Sequence, residues 1–414
     1  MPESLALYIH FPFCLSICPY CDFDRQATGF DRIDVYLQTV SRELETYAGE
    51  RRAVHSVFFG GGTPSLMTPV QVEHLLETAR RIFAVEPDAE ITLECNPGDA
   101  NLDKLRGFRA AGATRLSFGV QSLDDGFLKL LGRRHSSLEA RQSAAWARQA
   151  GFGFNLDFMF GLPGQSLSQW QRTLDEAVAL GPDHLSCYLL TLDERVPMGR
   201  DVARGRLVLP VDDVLAEMYV ATRHRLAAAG YEHYEISNWA LPGQASRHNL
   251  TYWRDGAWIG VGAGAASSFG GRRWKNTPVL ERYIGSMATR GRADRVEDEQ
   301  PDRLTQLMDA LTLGLRLREG VSVSGFAERF GIDLLPTLGE TGAWLLSAGF
   351  LTLAHGRLRI AAEQQLITNE ILVRLEEPLA DYVRRETSAS QIPASCDRAG
   401  WRAPAASSES SAFR

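Results

Sequence analysis

Residues 5–24 read LALYIHFPFCLSICPYCDFD, an apolar run followed at once by Cys14, Cys18 and Cys21. The run at 6–10 predicts a β-strand, and the C-x3-C-x2-C spacing puts three thiols on one short loop at its end. Three thiolates so placed can wrap a metal centre. Four readings are open at this point: buried structural thiols, redox sulfurs, a zinc site, or an iron–sulfur cluster. Zinc wants a fourth ligand, and His10 is the only local candidate. A [4Fe–4S] cluster takes one thiolate per iron, so three cysteines leave one iron open to an outside ligand.

Outward from this stretch, β-rich runs recur at 55–59, 90–94, 114–120, 154–160 and 184–190, with a weaker one at 231–236. Amphipathic helical stretches at 33–51, 69–83, 102–111, 137–150, 166–180 and 211–229 separate them. Gly112, Gly151, Gly181 and Gly230 stand where left-handed residues end helices. Alternation of this kind predicts an α/β fold with a parallel, barrel-like sheet over residues 1–237. Polar and glycine-rich residues follow the strands, among them Gly60-Gly61-Gly62-Thr63-Pro64, Glu94 to Pro97, Gln121 and Gly161 to Gly164. A barrel gathers such residues at its C-terminal rim, where chemistry is expected. Residues 238–300 break the pattern, and their Trp- and Gly-dense first part, to 271, predicts a connector folded against the barrel opening. From 301 to 377, helical stretches at 303–317, 323–330 and 335–348 precede a strand-like 350–360 with a His355-Gly356 turn, in the manner of a winged-helix module. Residues 378–414, aperiodic and rich in Ser and Ala towards the end, read as a disordered tail.

Composition limits the function classes. The 414 residues are 44% hydrophobic and 23% charged, enough for two or three packed domains. The formal charge of −7, and an excess of acidic over basic residues within 301–377, argue against nucleic acid as a partner. Six cysteines are too few for a secreted disulfide framework, and Met1-Pro2-Glu3-Ser4 lacks the basic and apolar regions of a signal peptide. A reducing, cytoplasmic setting is expected. No apolar window of ~18 residues predicts a transmembrane span, which leaves peripheral membrane contact open.

Taken together, Tyr8-Ile9-His10-Phe11-Pro12, the three cysteines and the glycine loop resemble radical S-adenosylmethionine (SAM) enzymes, specifically the oxygen-independent coproporphyrinogen III oxidase-like family. The resemblance runs from Leu5 to Glu377. It implies a partial (β/α)6 TIM barrel of radical SAM type with a C-terminal helical, winged-helix-like domain. It implies a [4Fe–4S] cluster on Cys14, Cys18 and Cys21, whose open iron chelates SAM, and reductive cleavage of SAM to a radical. Carried over residue by residue, the SAM contacts fall on Tyr8, Tyr20, Gly61, Gly62, Thr63, Glu94, Gln121, Arg133 and Asp157.

Three places separate the oxidase branch from the haem chaperone (HemW-like) branch. The oxidase branch carries a fourth cysteine two positions after the third, where this chain has Phe23. It also carries a longer N-terminal segment, whereas the first cysteine here is residue 14. The chaperone branch carries H-N-x-x-Y-W, matched by His248-Asn249-Leu250-Thr251-Tyr252-Trp253. The resemblance therefore implies that His248 binds haem, and that haem is delivered to acceptor haemoproteins of the respiratory chain. Trp239, Trp253, Trp258 and Trp274 suit either core packing or a flat ligand, and Arg247, Arg254, Arg272 and Arg273 are candidate partners for haem propionates. Two alternatives stay open: a SAM-dependent coproporphyrinogen III dehydrogenase, which would make the chain an enzyme, and a non-catalytic scaffold with structural zinc.

Overall fold

The computed structural model describes residues 4–99 and 101–390. Strand β1 (Leu5–Phe11) is buried on both faces, as a central parallel strand must be. After it come α1 (Ile33–Glu45), β2 (Ala53–Gly61), α2 (Pro69–Ile82), β3 (Ala84–Cys95), α3 (Leu102–Ala111), β4 (Arg115–Gln121), α4 (Asp125–Leu130), α5 (Ser137–Gln149), β5 (Gly153–Phe160), α6 (Leu167–Ala179) and β6 (His184–Leu189). Strands β1 to β6 pair in parallel in sequence order, and β1 does not meet β6, so the barrel is partial. Helices α2, α5 and α6 open on reciprocal capping boxes at Thr68/Gln71, Ser136/Glu139 and Ser166/Gln169, satisfying backbone donors that a helix start leaves unpaired.

The chain continues through α7 (Pro197–Ala203), α8 (Asp212–Ala228), β7 (Glu232–Glu235), β8 (Asn238–Ala240), α9 (Arg247–Trp253), β9 (Trp258–Val261), β10 (Ala266–Phe269), β11 (Arg272–Asn276), α10 (Leu280–Arg290) and β12 (Arg295–Glu299). The weak seventh run is a strand, but it lies antiparallel on β8 at the far edge rather than adding a βα unit. On the other side β9 runs parallel to β1, and β10 to β12 extend the sheet to twelve strands.

The connector thus differs from the expectation of a segment over the barrel opening. Helix α9 closes the opposite end, because Glu90, before the middle of the inner stretch of β3, accepts from the Ser246 hydroxyl and from the N–H groups of Arg247 and His248 at 3.1–3.2 Å. Trp239 is fully buried and stacked on His233, and Trp274 is buried beneath the Arg295 guanidinium, so both are core.

Beyond Pro301 lie α11 (Arg303–Gly314), β13 (Val321–Ser322), α12 (Val323–Phe330), α13 (Leu334–Ser347), β14 (Leu351–Ala354), β15 (Arg357–Ile360) and α14 (Thr368–Ser390) around a second apolar core. Helix α14 corrects the expected tail at 378–390. Ile371, Leu372, Leu375 and Leu379 form one helical stripe buried in that core, and the helix passes through Pro378. Residues 391–414 lie outside the described residues.

Candidate active site

The cysteine loop leaves the rim end of β1 and is tied at its base, where Cys14 N–H donates to Gln26 O at 2.9 Å and Gln26 N–H to Pro12 O at 2.7 Å. Cys21 N–H closes a turn onto Cys18 O at 3.1 Å, and the Arg25 guanidinium holds the carbonyls of Cys21 and Phe23. From below, His10 Nε2–H donates to Asp24 O at 2.8 Å while its Nδ1 accepts from the Tyr8 hydroxyl at 3.0 Å. Lys275 pairs with the Asp24 carboxylate at 3.0 Å. The loop is therefore held in shape by the chain's own hydrogen bonds and one ion pair.

Cys14, Cys18 and Cys21 are unbridged, half-buried and face one cavity of about 630 Å³. Burial pushes the Cys14 and Cys21 thiols up. Three free thiols on one preshaped loop fit a cluster that asks one thiolate from each of three irons. They fit zinc poorly. Both nitrogens of His10, the only local candidate for a fourth ligand, are engaged.

The glycine loop lies against the cysteines. Gly61, at φ 108°, donates its N–H to Glu94 Oε2 at 3.1 Å, and a Cβ there would stand 2.4 Å from the His10 ring. Gly62 and Thr63 donate their N–H groups to the carbonyls of Phe11 and Phe13, both at 2.8 Å, and the Thr63 hydroxyl points at Cys14 Sγ at 3.4 Å. Asn96 links Thr63 to Arg133. Arg133 also donates to Gly119 O at 2.6 Å, the Tyr20 hydroxyl at 3.4 Å and Cys18 Sγ at 3.5 Å, while its Nε is buried without a partner. It braces the cysteine loop. Gln121 holds a left-handed backbone at φ 68°, the strained conformation that active sites retain.

Deeper, Glu94 and Asp157 share the cavity. Burial, then the charge of Asp157, pushes the Glu94 carboxyl up to about 8. Burial also raises Asp157, against hydrogen bonds from Asn155 Nδ2 at 2.6 Å and Ser117 Oγ at 3.2 Å. Asn155 continues to His184, and His184 to the Tyr234 hydroxyl, each at 2.7 Å. Of the expected site residues, Cys14, Cys18, Cys21, Tyr20, Gly61, Gly62, Thr63, Glu94, Gln121, Arg133 and Asp157 all line the cavity.

Tyr8 and His248 do not. Tyr8 supports His10, as above. His248 is 1% exposed, stacked on Phe58 with centroids 5.0 Å apart, and both its nitrogens are engaged, by Ser56 Oγ at 3.0 Å and the Tyr252 hydroxyl at 2.7 Å. In this structure it plugs the barrel floor, and a bond to iron would displace one of those partners. The propionate candidates are occupied too: Arg247 by Glu86 and Asp88, Arg254 by Glu319, Arg272 by Asp298, Arg273 by Asp309. Sequence reasoning passed over Asn96, Arg115, Asn155, His184 and Asn249. The signal was the alternation of polar residues along β4 to β6, at 115, 117, 121, then 155, 157, then 184, 186, 188.

Residues 8–177 match the Radical SAM superfamily and residues 302–363 the HemN C-terminal domain. A protein named Heme chaperone HemW, from Bacillus subtilis, is 35% identical over 370 residues, 88% of this chain and 97% of that protein. The chain belongs to the HemW-like branch of the radical SAM superfamily. A second HemW, from Escherichia coli, is 43% identical over 266 residues, 63% of this chain and 69% of that protein. The solved structure of coproporphyrinogen III oxidase (HemN) from Escherichia coli superposes with a TM-score of 0.78 over 91% of this chain and 90% of that one, at 23% identity, which speaks to the fold. The superfamily is one of [4Fe–4S]- and SAM-using proteins, and this HemW-like chain has the donor set for the first. No helix among the described residues is long and apolar enough to cross a membrane.

Proposed function

We propose that this chain is a haem chaperone that binds a [4Fe–4S] cluster, SAM and haem, and passes haem to acceptor haemoproteins. Its support is the kinship with proteins named haem chaperones across nearly their whole length, on a cavity that offers three thiols. Phe23, 63% exposed beside those thiols, stands where the oxidase branch would carry its fourth cysteine. In this reading Cys14, Cys18 and Cys21 hold the cluster, and the bound cluster and SAM supply one-electron chemistry. Thr63 and Arg133 steady the sulfurs of Cys14 and Cys18 by hydrogen bonds, as metal-site supports do. Glu94 and Asp157 offer carboxyls to the ammonium and ribose hydroxyls of SAM, with Tyr20, Gly61, Gly62 and Gln121 completing the wall. Haem contact involves the α9 segment, with His248 released from Ser56 or Tyr252 if it ligates iron.

The test is haem titration of the anaerobically reconstituted protein, with coproporphyrinogen III turnover assayed in parallel using SAM and a reductant. Stoichiometric haem binding without turnover is expected. Turnover without specific haem binding would replace this reading with the dehydrogenase.

A further inference from the structure

Helix α9 is held at both ends, by different parts of the molecule. Its first turn is fixed to the barrel floor by Glu90, and its other end faces the module that begins at Arg303. There Trp253, Arg254 and Asp255, consecutive in the chain, each meet a different side chain of the module. The Arg316 guanidinium lies over the Trp253 ring, 5.9 Å from its centroid. Glu319 pairs with Arg254 at 3.0 Å and Arg329 with Asp255 at 2.6 Å. Between Arg316 and Glu319 the chain also meets the edge strand β7, where Arg318 N–H donates to Tyr234 O at 2.9 Å and Leu317 bridges Glu235. Residues 316–319 thus touch α9 and β7 at once.

No apolar core runs across this seam. The two cores share no residue, and Leu317, buried in the seam, belongs to neither. Further ties across it are single polar contacts: Arg223 donates to Ala362 O at 2.9 Å, the Tyr219 hydroxyl to Gln365 Oε1 at 3.3 Å, and Arg273 pairs with Asp309 at 2.6 Å. Polar groups regain water when such an interface parts, so opening it costs little beside unpacking a core. Among the described residues the chain crosses from one part to the other once, at 300–302 between β12 and α11, so rotation there moves the module as a body. His248 is buried on the barrel side of α9, whereas the Trp253 ring lies on the seam side, under Arg316. A guanidinium on an indole face holds the place that a flat conjugated ring would take.

We propose that the C-terminal module is a hinged cover on α9, latched by residues 316–319, and that haem lifts it by replacing Arg316 on the Trp253 ring. This rests on the haem reading above and adds to it where the porphyrin stacks and what must move. Only the open fraction of molecules takes haem, so a weaker latch means tighter apparent binding.

The experiment uses the reconstituted full chain and its Arg316→Ala, Glu319→Gln, Trp253→Leu and Arg316→Ala/Trp253→Leu variants. Haem affinity is read by titration, and opening by hydrogen exchange, with the Arg318 amide as the reporter across the seam. Arg316→Ala and Glu319→Gln should speed exchange over 316–319, leave β1 to β6 unchanged and tighten haem binding about threefold or more. Trp253→Leu should weaken haem about tenfold and abolish the gain from Arg316→Ala, because that gain comes from uncovering the ring. Haem itself should speed exchange at Arg318. Latch variants that leave exchange over 316–319 unchanged, or that open the seam with haem affinity unaltered, refute the cover. So does haem that binds while exchange over 316–319 stays the same or slows. A gain from Arg316→Ala that survives in the double variant refutes stacking on Trp253. If neither the unsubstituted protein nor any variant binds haem, the haem reading falls. The hinge is then upheld if 316–319 exchanges before either core, and refuted if it exchanges only with global unfolding.

Discussion

At pH 7 the buried carboxyl of Glu94 carries its proton, since its folded value of about 8 lies above the ordinary 4.5. A raised acid contributes stability that is complete below pH 4.5 and lost as pH rises towards 8. Glu235, pushed by burial to about 7, acts in the same direction. Buried histidines act oppositely: desolvation lowers His248 and His233 to about 3 and His135 to about 4, so their contribution is present above pH 6.5 and lost as pH falls. Thermal unfolding across pH should therefore show both an acid and an alkaline decline. Glu94→Gln should flatten the alkaline limb by about 1–2 kcal/mol and leave the acid limb unchanged; an unaltered alkaline limb would refute this assignment. His248→Ala removes a packed ring and orphans the Ser56 and Tyr252 hydroxyls, so chemical denaturation should show a loss of about 2–4 kcal/mol before any haem is added.

Among the elements, α9 shows how a motif can be seen in the sequence while its location is not. Its residues are consecutive, but the place they occupy is set by Glu90, 156 to 158 positions earlier in the chain. Three hydrogen bonds that Glu90 accepts from Ser246 and the first turn of α9 act as a carboxylate cap, favoured by the helix dipole. Glu90→Gln should weaken the floor by about 1–2 kcal/mol, detected as faster amide exchange in α9 with the β1–β6 core unchanged. The six parallel strands and their helices were legible because each carries its own periodicity, reinforced at α2, α3, α5 and α6 by side-chain caps. Strand β7 was visible as a run, but its pairing was not, since an edge strand and a barrel strand of four residues have the same pattern. Helix α14 was not read in the sequence, where the module was ended at 377, because Pro378 and the charged residues after it mask a stripe that only the second core makes evident.

For the whole molecule, two apolar cores meet across a polar seam. Asp255, 8% exposed at its side chain, binds Arg329 of α12 at 2.6 Å and Arg273 of β11 at 3.7 Å, and Arg254 pairs with Glu319 at 3.0 Å. Removing the Asp255 carboxylate would leave the half-exposed Arg329 without its partner, while Arg273 keeps Asp309 at 2.6 Å. Asp255→Asn should cost about 1–3 kcal/mol and split calorimetric unfolding into two transitions, the module after Arg303 melting first; a single unshifted transition would show that the contacts other than those of Asp255 suffice to couple the cores.

The sequence by itself determined the repeated βα units, the three thiols on one loop, the glycine loop beside them and the residues along the rim. These depend on neighbours a few positions apart, on strand alternation, capping and turn chemistry. Only the tertiary structure decided that Tyr8 serves His10, that Arg133 braces the cysteine loop, and that His248 plugs the floor rather than facing the cavity. Whether a polar side chain is satisfied depends on every group within about 3 Å of it in space, and closure of the barrel brings those groups from strands and helices more than a hundred residues apart.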